Sequence, residues 1–368
     1  MSRPIRVAIL GASGYGAGEL LRLLVAHDAV EVVAVTSTSQ VGEPIGRVHP
    51  HLRGFYDSTS CGMAKRSAAM PLSVSSQVDF ERLLGAEHAV VFSSLPHGAS
   101  GMALDRLLNE SDKSTRAVRL KAIDLSGDFR LSDASLHQQH YPESPVLPER
   151  RAEFVYGMAE LNRQQIGAAR YVANPGCLAT AAILAGAPLI KPEILGAVVA
   201  DVKTGSSGSG RQLKETTHHP TRHADFRAYK PLAHQHEPEI LQAWGDPHGE
   251  RIALSFVPQS MATSRGIFAT VHVTLPGPAA TAELRERYDR FYAGCPFVRI
   301  VDDSPTLQDV VGSNFCDISL ACRGRQVIVM AALDNLVKGM AGAAIQNMNL
   351  MCGLPETSGL WTPSLRPV

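Results

Sequence analysis

The 368-residue sequence has no CxxC pair among its six cysteines (Cys61, Cys177, Cys295, Cys316, Cys322 and Cys352), so paired-cysteine zinc and redox frameworks are not expected. It also lacks a long apolar run. The longest, residues 178–190, is too short to span a bilayer and contains Pro188, so no transmembrane segment is expected. Neither charge is in excess: 35 Lys+Arg face 35 Asp+Glu, so no global field recruits nucleic acid or an anionic membrane, and affinity for an anionic substrate must be local. The N-terminal residues run straight into a strand-like segment without a secretory apolar region, which makes a reducing cytoplasm the expected setting. No internal repeat is visible. What remains is an ordinary globular composition, 45% apolar and 19% charged, on a chain long enough for two domains with separate cores.

Residues 5–10 form an apolar run ending at a glycine, and residues 18–25 carry apolar side chains at helical spacing. That reads as strand, tight turn, helix. Further strands are expected at 30–35, 88–92 and 122–125, with a helix around 101–108, and this alternation signals right-handed βαβ crossovers on a parallel sheet. Beyond Asn174 the rhythm changes. Runs at 197–202, 252–257, 266–275 and 326–333, with few helices between them, predict an antiparallel α+β domain. Residues 339–350 are alanine-rich and helical in pattern, and 67–76 reads as a surface loop.

Gly11-Ala12-Ser13-Gly14-Tyr15-Gly16 lies where the first strand meets the first helix, a place where glycines let backbone amides approach a pyrophosphate. Its spacing is GxxGxG rather than GxGxxG, and a plain turn is the alternative. About twenty residues on, where a site preferring NAD carries an acid, the chain reads Thr36-Ser37-Thr38-Ser39; hydroxyls there suit the 2′-phosphate of NADP, with Arg47 as an unplaced counter-charge.

Asn174-Pro175-Gly176-Cys177 precedes an apolar run that reads as a buried helix with the thiol in its first turn. A helix N-terminus stabilises a thiolate, and its amides can donate to a developing oxyanion. The alternative is a small buried hydrophobe. His234 and His236, followed by a helix start at Pro238 and Glu239, are acid–base candidates, with His234 favoured. Five histidines (His218, His219, His223, His234, His236) within twenty residues leave a metal reading open, although no HExxH spacing supports it. A second glycine-rich loop, 204–211, ends in Arg211 and is followed by Lys214, Arg222, Arg227 and Lys230; it suits an anion, or is simply a solvated loop.

Together with Ser94-Leu95-Pro96-His97-Gly98, DLSGDFRL at 124–131, YGMAELN at 156–162, HQHEPEI at 234–240, Ser264-Arg265-Gly266 and the DNLVKG segment 334–339, these motifs resemble the N-acetyl-gamma-glutamyl-phosphate reductase family. This is the arginine-pathway branch of the aspartate-semialdehyde dehydrogenase-like group. The likeness runs over nearly the whole chain.

The resemblance implies an α/β protein: an N-terminal Rossmann-type parallel sheet over 1–173, completed by 335–368 with a returning C-terminal helix, plus an α+β catalytic and dimerisation domain of the glyceraldehyde-3-phosphate dehydrogenase-like type over 174–334. It implies NADP(H), no metal, a small acyl phosphate substrate with phosphate as the second product, and a homodimer or homotetramer. The family's nucleophile falls on Cys177 and its acid–base histidine in the pair His234 and His236. Cofactor candidates are Gly11, Ser13, Gly14, Tyr15, Gly16, Thr36, Ser37, Thr38, Gly205, Ser207, Gly208 and Asn335, the last near the nicotinamide; substrate candidates are Arg130, Asn174, Arg211 and Glu239.

Three departures from the family pattern stand out. Gly16-Ala17 reverses the usual Ala-Gly order, and because both residues are small the phosphate turn is expected to survive. Leu178-Ala179 replaces the common Tyr-Pro after the cysteine. His218-His219-Pro220-Thr221-Arg222 looks like relatives that reduce aminoadipyl phosphate on a carrier protein in lysine synthesis, so that substrate, or another acyl phosphate, stays open. A dinucleotide-binding sensor without turnover is the reading from a different class.

Overall fold

The computed structural model describes residues 5–56, 71–113, 119–193 and 196–367; Cys61 and the first four residues of the stretch 67–76 lie outside them. A first compact unit takes in Met1–Asn174 and Ala341–Trp361. Its strands are β1 (Ile5–Leu10), β2 (Val30–Thr36), β3 (Val74–Ser75), β4 (Ala89–Ser93), β5 (Leu120–Asp124), β6 (Phe154–Tyr156) and β7 (Tyr171–Ala173). They lie in the order β3-β2-β1-β4-β5-β7-β6 with every pair parallel. Strand order reverses between β1 and β4, the switch point at whose carboxyl edge open α/β sheets bind ligands. Helices α1 (Tyr15–Leu24), α2 (Ala99–Asp112) and α3 (Ala159–Ala168) belong to this unit. Apart from Arg6 and Ser93, β1 and β4 are apolar throughout because the sheet is covered on both faces. The start of α2 has no side-chain cap of its own; the Asp128 carboxylate accepts from the Gly98 and Gly101 amides and the Ser144 hydroxyl, placing negative charge at the positive end of the helix.

The second unit comprises Pro175–Met340 and Thr362–Val368. Its strands are β8 (Gly196–Thr204), β9 (Arg227–Ala228), β10 (Ile252–Ser260), β11 (Ile267–Thr274), β12 (Val298–Ile300), β13 (Cys316–Arg323) and β14 (Gln326–Leu333), in the order β12-β13-β14-β11-β8-β10-β9. The sheet is mixed rather than antiparallel. β8 and β10 run parallel from Gly196↔Ile252 to Thr204↔Ser260, and β12 pairs parallel to β13. Parallel neighbours need a long connection, and the segment 205–251 between β8 and β10 supplies it.

Helix α4 (Cys177–Glu193) crosses β8, β11 and β14, with α5 (Glu237–Ala243) and α6 (Thr281–Phe291) also against it. Residues 178–190 are apolar on every side but for Thr180, because that stretch is buried all round. Truncating one of its leucines to alanine should cost about 2–5 kcal/mol. Pro188 has no N–H for the Leu184 carbonyl, and the Tyr292 hydroxyl donates to that carbonyl in its place, with the Tyr288 hydroxyl on Ala185 O one residue along. Along β8 burial alternates: Val198, Ala200 and Val202 are sealed, whereas Val199 on the opposite face is 39% exposed.

After β14 the chain winds wide. The Gly339 amide bonds Asp334 O, five residues back, at 2.9 Å, through a π-type turn over Val337–Ala341. The Asp334 carboxylate holds this turn by accepting from the Gly312, Leu336 and Val337 amides. Residues 335–340 fall in the second unit rather than the first, and the last residues do too, with Leu365 N–H bonded to Val311 O. Helix α7 (Gly342–Met351) follows and packs on α1, α3 and β5. Among the described residues no helix is long and apolar enough to cross a membrane.

Candidate active site

Two sites emerge, one in each unit. In the first, β1 runs into Gly11, whose φ of +92° and closeness to Ser94 O, 2.9 Å from an added Cβ, both require glycine. The amides of Gly11 and Ala12 both donate to Thr36 O, at 2.9 and 2.8 Å. Gly14 caps α1, whose first turn carries no acidic residue, so the positive end of the helix is not neutralised from within. Ser13 is half-buried, Tyr15 exposed and Gly16 buried. Thr36 is buried at the end of β2; Ser37 hangs on Ser75 O through its amide, and Thr38 is exposed beside it. A bare-backbone turn that a Cβ would fill, at the start of a helix, fits a dinucleotide pyrophosphate. Arg47 pairs with Glu43 at 3.2 Å on the surface.

The second unit gathers the nucleophile candidate. Cys177 is the first residue of α4 and half-buried. Gly176 is pressed from two sides: its amide donates to Glu239 Oε1 at 2.6 Å, and a Cβ on it would lie 2.2 Å from His236 Nε2. From the far side Gly339 closes in, where an added Cβ would stand 2.7 Å from the Cys177 Cβ. His236 and Glu239 are buried, at the start of α5. His234 accepts the His236 amide on Nδ1 at 3.1 Å and is boxed by the rings of Tyr229 and Phe256, each 5.6 Å away. The sequence favours His234; in the fold it is His236 whose Nε2 reaches over Gly176.

Tyr229 was not singled out from the sequence. Burial, and then the charge of Cys177, push its phenol upward. Gly339 closes the DNLVKG segment, but only the wide turn brings it to the cysteine.

Gly205, Ser207, Gly208 and Asn335 form one cluster. Asn335 Nδ2 donates to Ser207 Oγ at 2.9 Å, its Oδ1 accepts from the Gly266 amide at 2.8 Å, and Gly205 lies too close to Ser264 O for any side chain. The four substrate candidates are not alike. Arg130 Nε donates to Asn174 O at 2.8 Å and its Nη2 to Leu125 O, while the Asn174 Oδ1 accepts from Asn347, all in the first unit. Glu239 holds the Gly176 amide, and Arg211 is exposed. Among the described residues no group of three or more His, Cys, Asp or Glu is placed to hold a metal ion.

Residues 6–169 match a family model described as semialdehyde dehydrogenase, NAD binding domain, and 177–335 match semialdehyde dehydrogenase, dimerisation domain. The first site is thus in a nicotinamide-dinucleotide domain. The chain is 40% identical to an N-acetyl-gamma-glutamyl-phosphate reductase of Pelotomaculum thermopropionicum, covering 99% of each, and 40% identical to one of Archaeoglobus fulgidus over 99% of this chain and 100% of that one. It is 37% identical, over 99% of each, to a [LysW]-L-2-aminoadipate/[LysW]-L-glutamate phosphate reductase of Sulfurisphaera tokodaii. In fold it is similar to aspartate semialdehyde dehydrogenase II from Vibrio cholerae, with a TM-score of 0.67 at 15% identity, covering 96% of this chain and 99% of that one.

Proposed function

Because this chain belongs to the N-acetyl-gamma-glutamyl-phosphate reductase family, we propose that it reduces N-acetyl-gamma-glutamyl phosphate to N-acetyl-glutamate semialdehyde and phosphate, using NADPH and a thioester on Cys177. The observation that carries this reading is the thiol at the start of buried helix α4, next to a glycine overhung by His236.

The Cys177 thiolate attacks the acyl carbonyl; the carbon–oxygen bond to phosphate breaks, and phosphate leaves with the electron pair. The helix terminus favours the thiolate. The amides of the first turn, Leu178 and Ala179, precede the first intrahelical bond, Thr180 N–H to Gly176 O, and serve the developing oxyanion. NADPH, when bound, supplies the hydride that takes the thioester carbon to the aldehyde level. His236 takes the thiol proton first and returns a proton to the carbonyl-derived oxygen later, with His234 fixing its backbone. His236 then takes that proton back as the carbon–sulfur bond breaks, which releases the aldehyde and regenerates the thiolate.

For the cofactor we assign Gly11, Ser13, Gly14, Tyr15 and Gly16 to the pyrophosphate, Thr36, Ser37 and Thr38 to the 2′-phosphate, and Gly205, Ser207, Gly208 and Asn335 to the nicotinamide end. Arg211 is assigned to the substrate's anionic groups. Arg130 and Asn174 act by holding the end of β7, and Glu239 by holding Gly176. The open face of the second sheet, with Val199 on it, is assigned to a homodimer or homotetramer contact.

The Sulfurisphaera tokodaii relative and the segment 218–222 favour one alternative, the same chemistry on an aminoadipyl phosphate carried by a protein. Phosphate-dependent NADP reduction tested with N-acetyl-glutamate semialdehyde, aspartate semialdehyde and carrier-linked aminoadipate semialdehyde separates them. The proposal expects the first to be preferred; preference for either other substrate replaces it, and no turnover with any favours the sensor reading.

A further inference from the structure

We propose that His49 is a positioning residue for the dinucleotide, gripping the peptide between Ala12 and Ser13 so that the amides of the glycine-rich turn are aimed before the cofactor arrives. This rests on the reading of the first unit as the nucleotide-binding one.

His49 follows the helical turn Ile45–Val48 and is 5% exposed. Its Nε2 lies 2.6 Å from Ala12 O. A carbonyl only accepts, so Nε2 carries the proton. In a trans peptide the C=O and the following N–H point in opposite directions; holding Ala12 O toward His49 therefore turns the Ser13 N–H away from it. The strand side of the same turn is fixed independently by Thr36 O, which takes the Gly11 and Ala12 amides. His49 supplies the matching restraint on the helix side.

A second observation concerns α1. Gly18 sits inside this helix, where glycine is unfavourable relative to alanine. An added Cβ would fall 2.8 Å from His49 Nδ1 and 2.9 Å from Cε1, so the missing side chain is the space the imidazole occupies. Helix and histidine are fitted to each other at the turn.

The test is NADPH binding to the full chain, followed by cofactor fluorescence, in wild type, His49→Leu and His49→Gln. Glutamine places an amide N–H near the position of Nε2; leucine fills space only. Loss of one buried hydrogen bond should raise the Kd of His49→Leu about tenfold, with His49→Gln within about threefold of wild type. The alkylation rate of Cys177, measured alongside, should not move. His49→Leu binding like wild type, or His49→Gln as weak as His49→Leu, overturns the proposal. Should the leucine variant not fold, ¹H–¹⁵N spectra of the wild-type histidine rings decide. An Nε2-protonated His49 whose signal shifts on adding NADPH supports the role; an Nδ1-protonated ring, or an unmoved signal, ends it. Wild type failing to bind NADPH would instead reject the nucleotide reading itself.

Discussion

The two units solve the problem of binding in different materials. In the first, whose parallel sheet is covered on both faces, the candidate site is made of main chain: a turn of small residues, a left-handed glycine and a helix end. In the second, whose mixed sheet leaves one face open, the site is made of particular side chains crowded around one glycine and one thiol. A backbone site should tolerate exchange of small residues, such as the reversed Gly16-Ala17 order, because what it presents is peptide geometry. A side-chain site does not. Chemistry on Cys177 and affinity for the nucleotide should therefore be separable by mutation.

The sharpest test of that separation is Cys177→Ser. Turnover should fall by about four orders of magnitude or more while the Kd for NADPH stays within about twofold, as titration by cofactor fluorescence would show. A parallel loss of both breaks the distinction. Next in size, His236→Asn should lower kcat by roughly 10²–10⁴-fold and His234→Asn by only about tenfold; the reverse order would return the acid–base role to His234. Two glycines then form a matched pair. Gly339→Ala, whose Cβ would meet the Cys177 Cβ at 2.7 Å, should reduce kcat by about 10–100-fold and slow thiol alkylation, with NADPH binding unchanged. Gly11→Ala, strained at φ +92°, should cost roughly 1–3 kcal/mol of stability and weaken NADPH binding without slowing alkylation. Identical phenotypes would mean that the sites are not built separately.

A further test concerns pH and the first unit. Burial, reinforced by Asp128, raises Asp124 to about 6, against hydrogen bonds from Ser100 and Ser126 that favour the carboxylate. A carboxyl with a raised folded-state pKa binds its proton more tightly when folded. Its contribution is full below pH ~4 and lost as pH rises through about 6, on the order of 2–3 kcal/mol at most. Urea denaturation of wild type and Asp124→Asn from pH 4 to pH 7 should show this slope in wild type only. Equal slopes would remove Asp124 as its source.

Strands with uninterrupted or alternating apolar patterns, β1, β2, β4, β5, β8, β10, β11 and β14, were legible in the sequence. β6 and β7 were not, at three residues each, nor was β13, whose pattern is broken by Asp317, a buried residue that two bonds from Arg299 make tolerable. The parallel pairing of β8 and β10 was hidden because it depends on where the segment 205–251 returns. At the sites, Cys177 and the glycine turn announced themselves through local context. Gly339 and Tyr229 did not, since their closeness to the cysteine arises from residues far apart in the chain, and the choice between His234 and His236 depended on which ring overhangs Gly176.

The wide turn at Val337–Ala341 constrains how this enzyme can change by insertion or deletion. Spanning five residues from carbonyl to amide, it takes up one residue more than a regular turn, and the Asp334 carboxylate, bound by the Gly312, Leu336 and Val337 amides, fixes where that residue is taken up. Deleting a residue between Asp334 and Gly339 would carry Gly339 away from the Cys177 Cβ, which it meets without a side chain of its own. Length variants should therefore accumulate elsewhere in the chain.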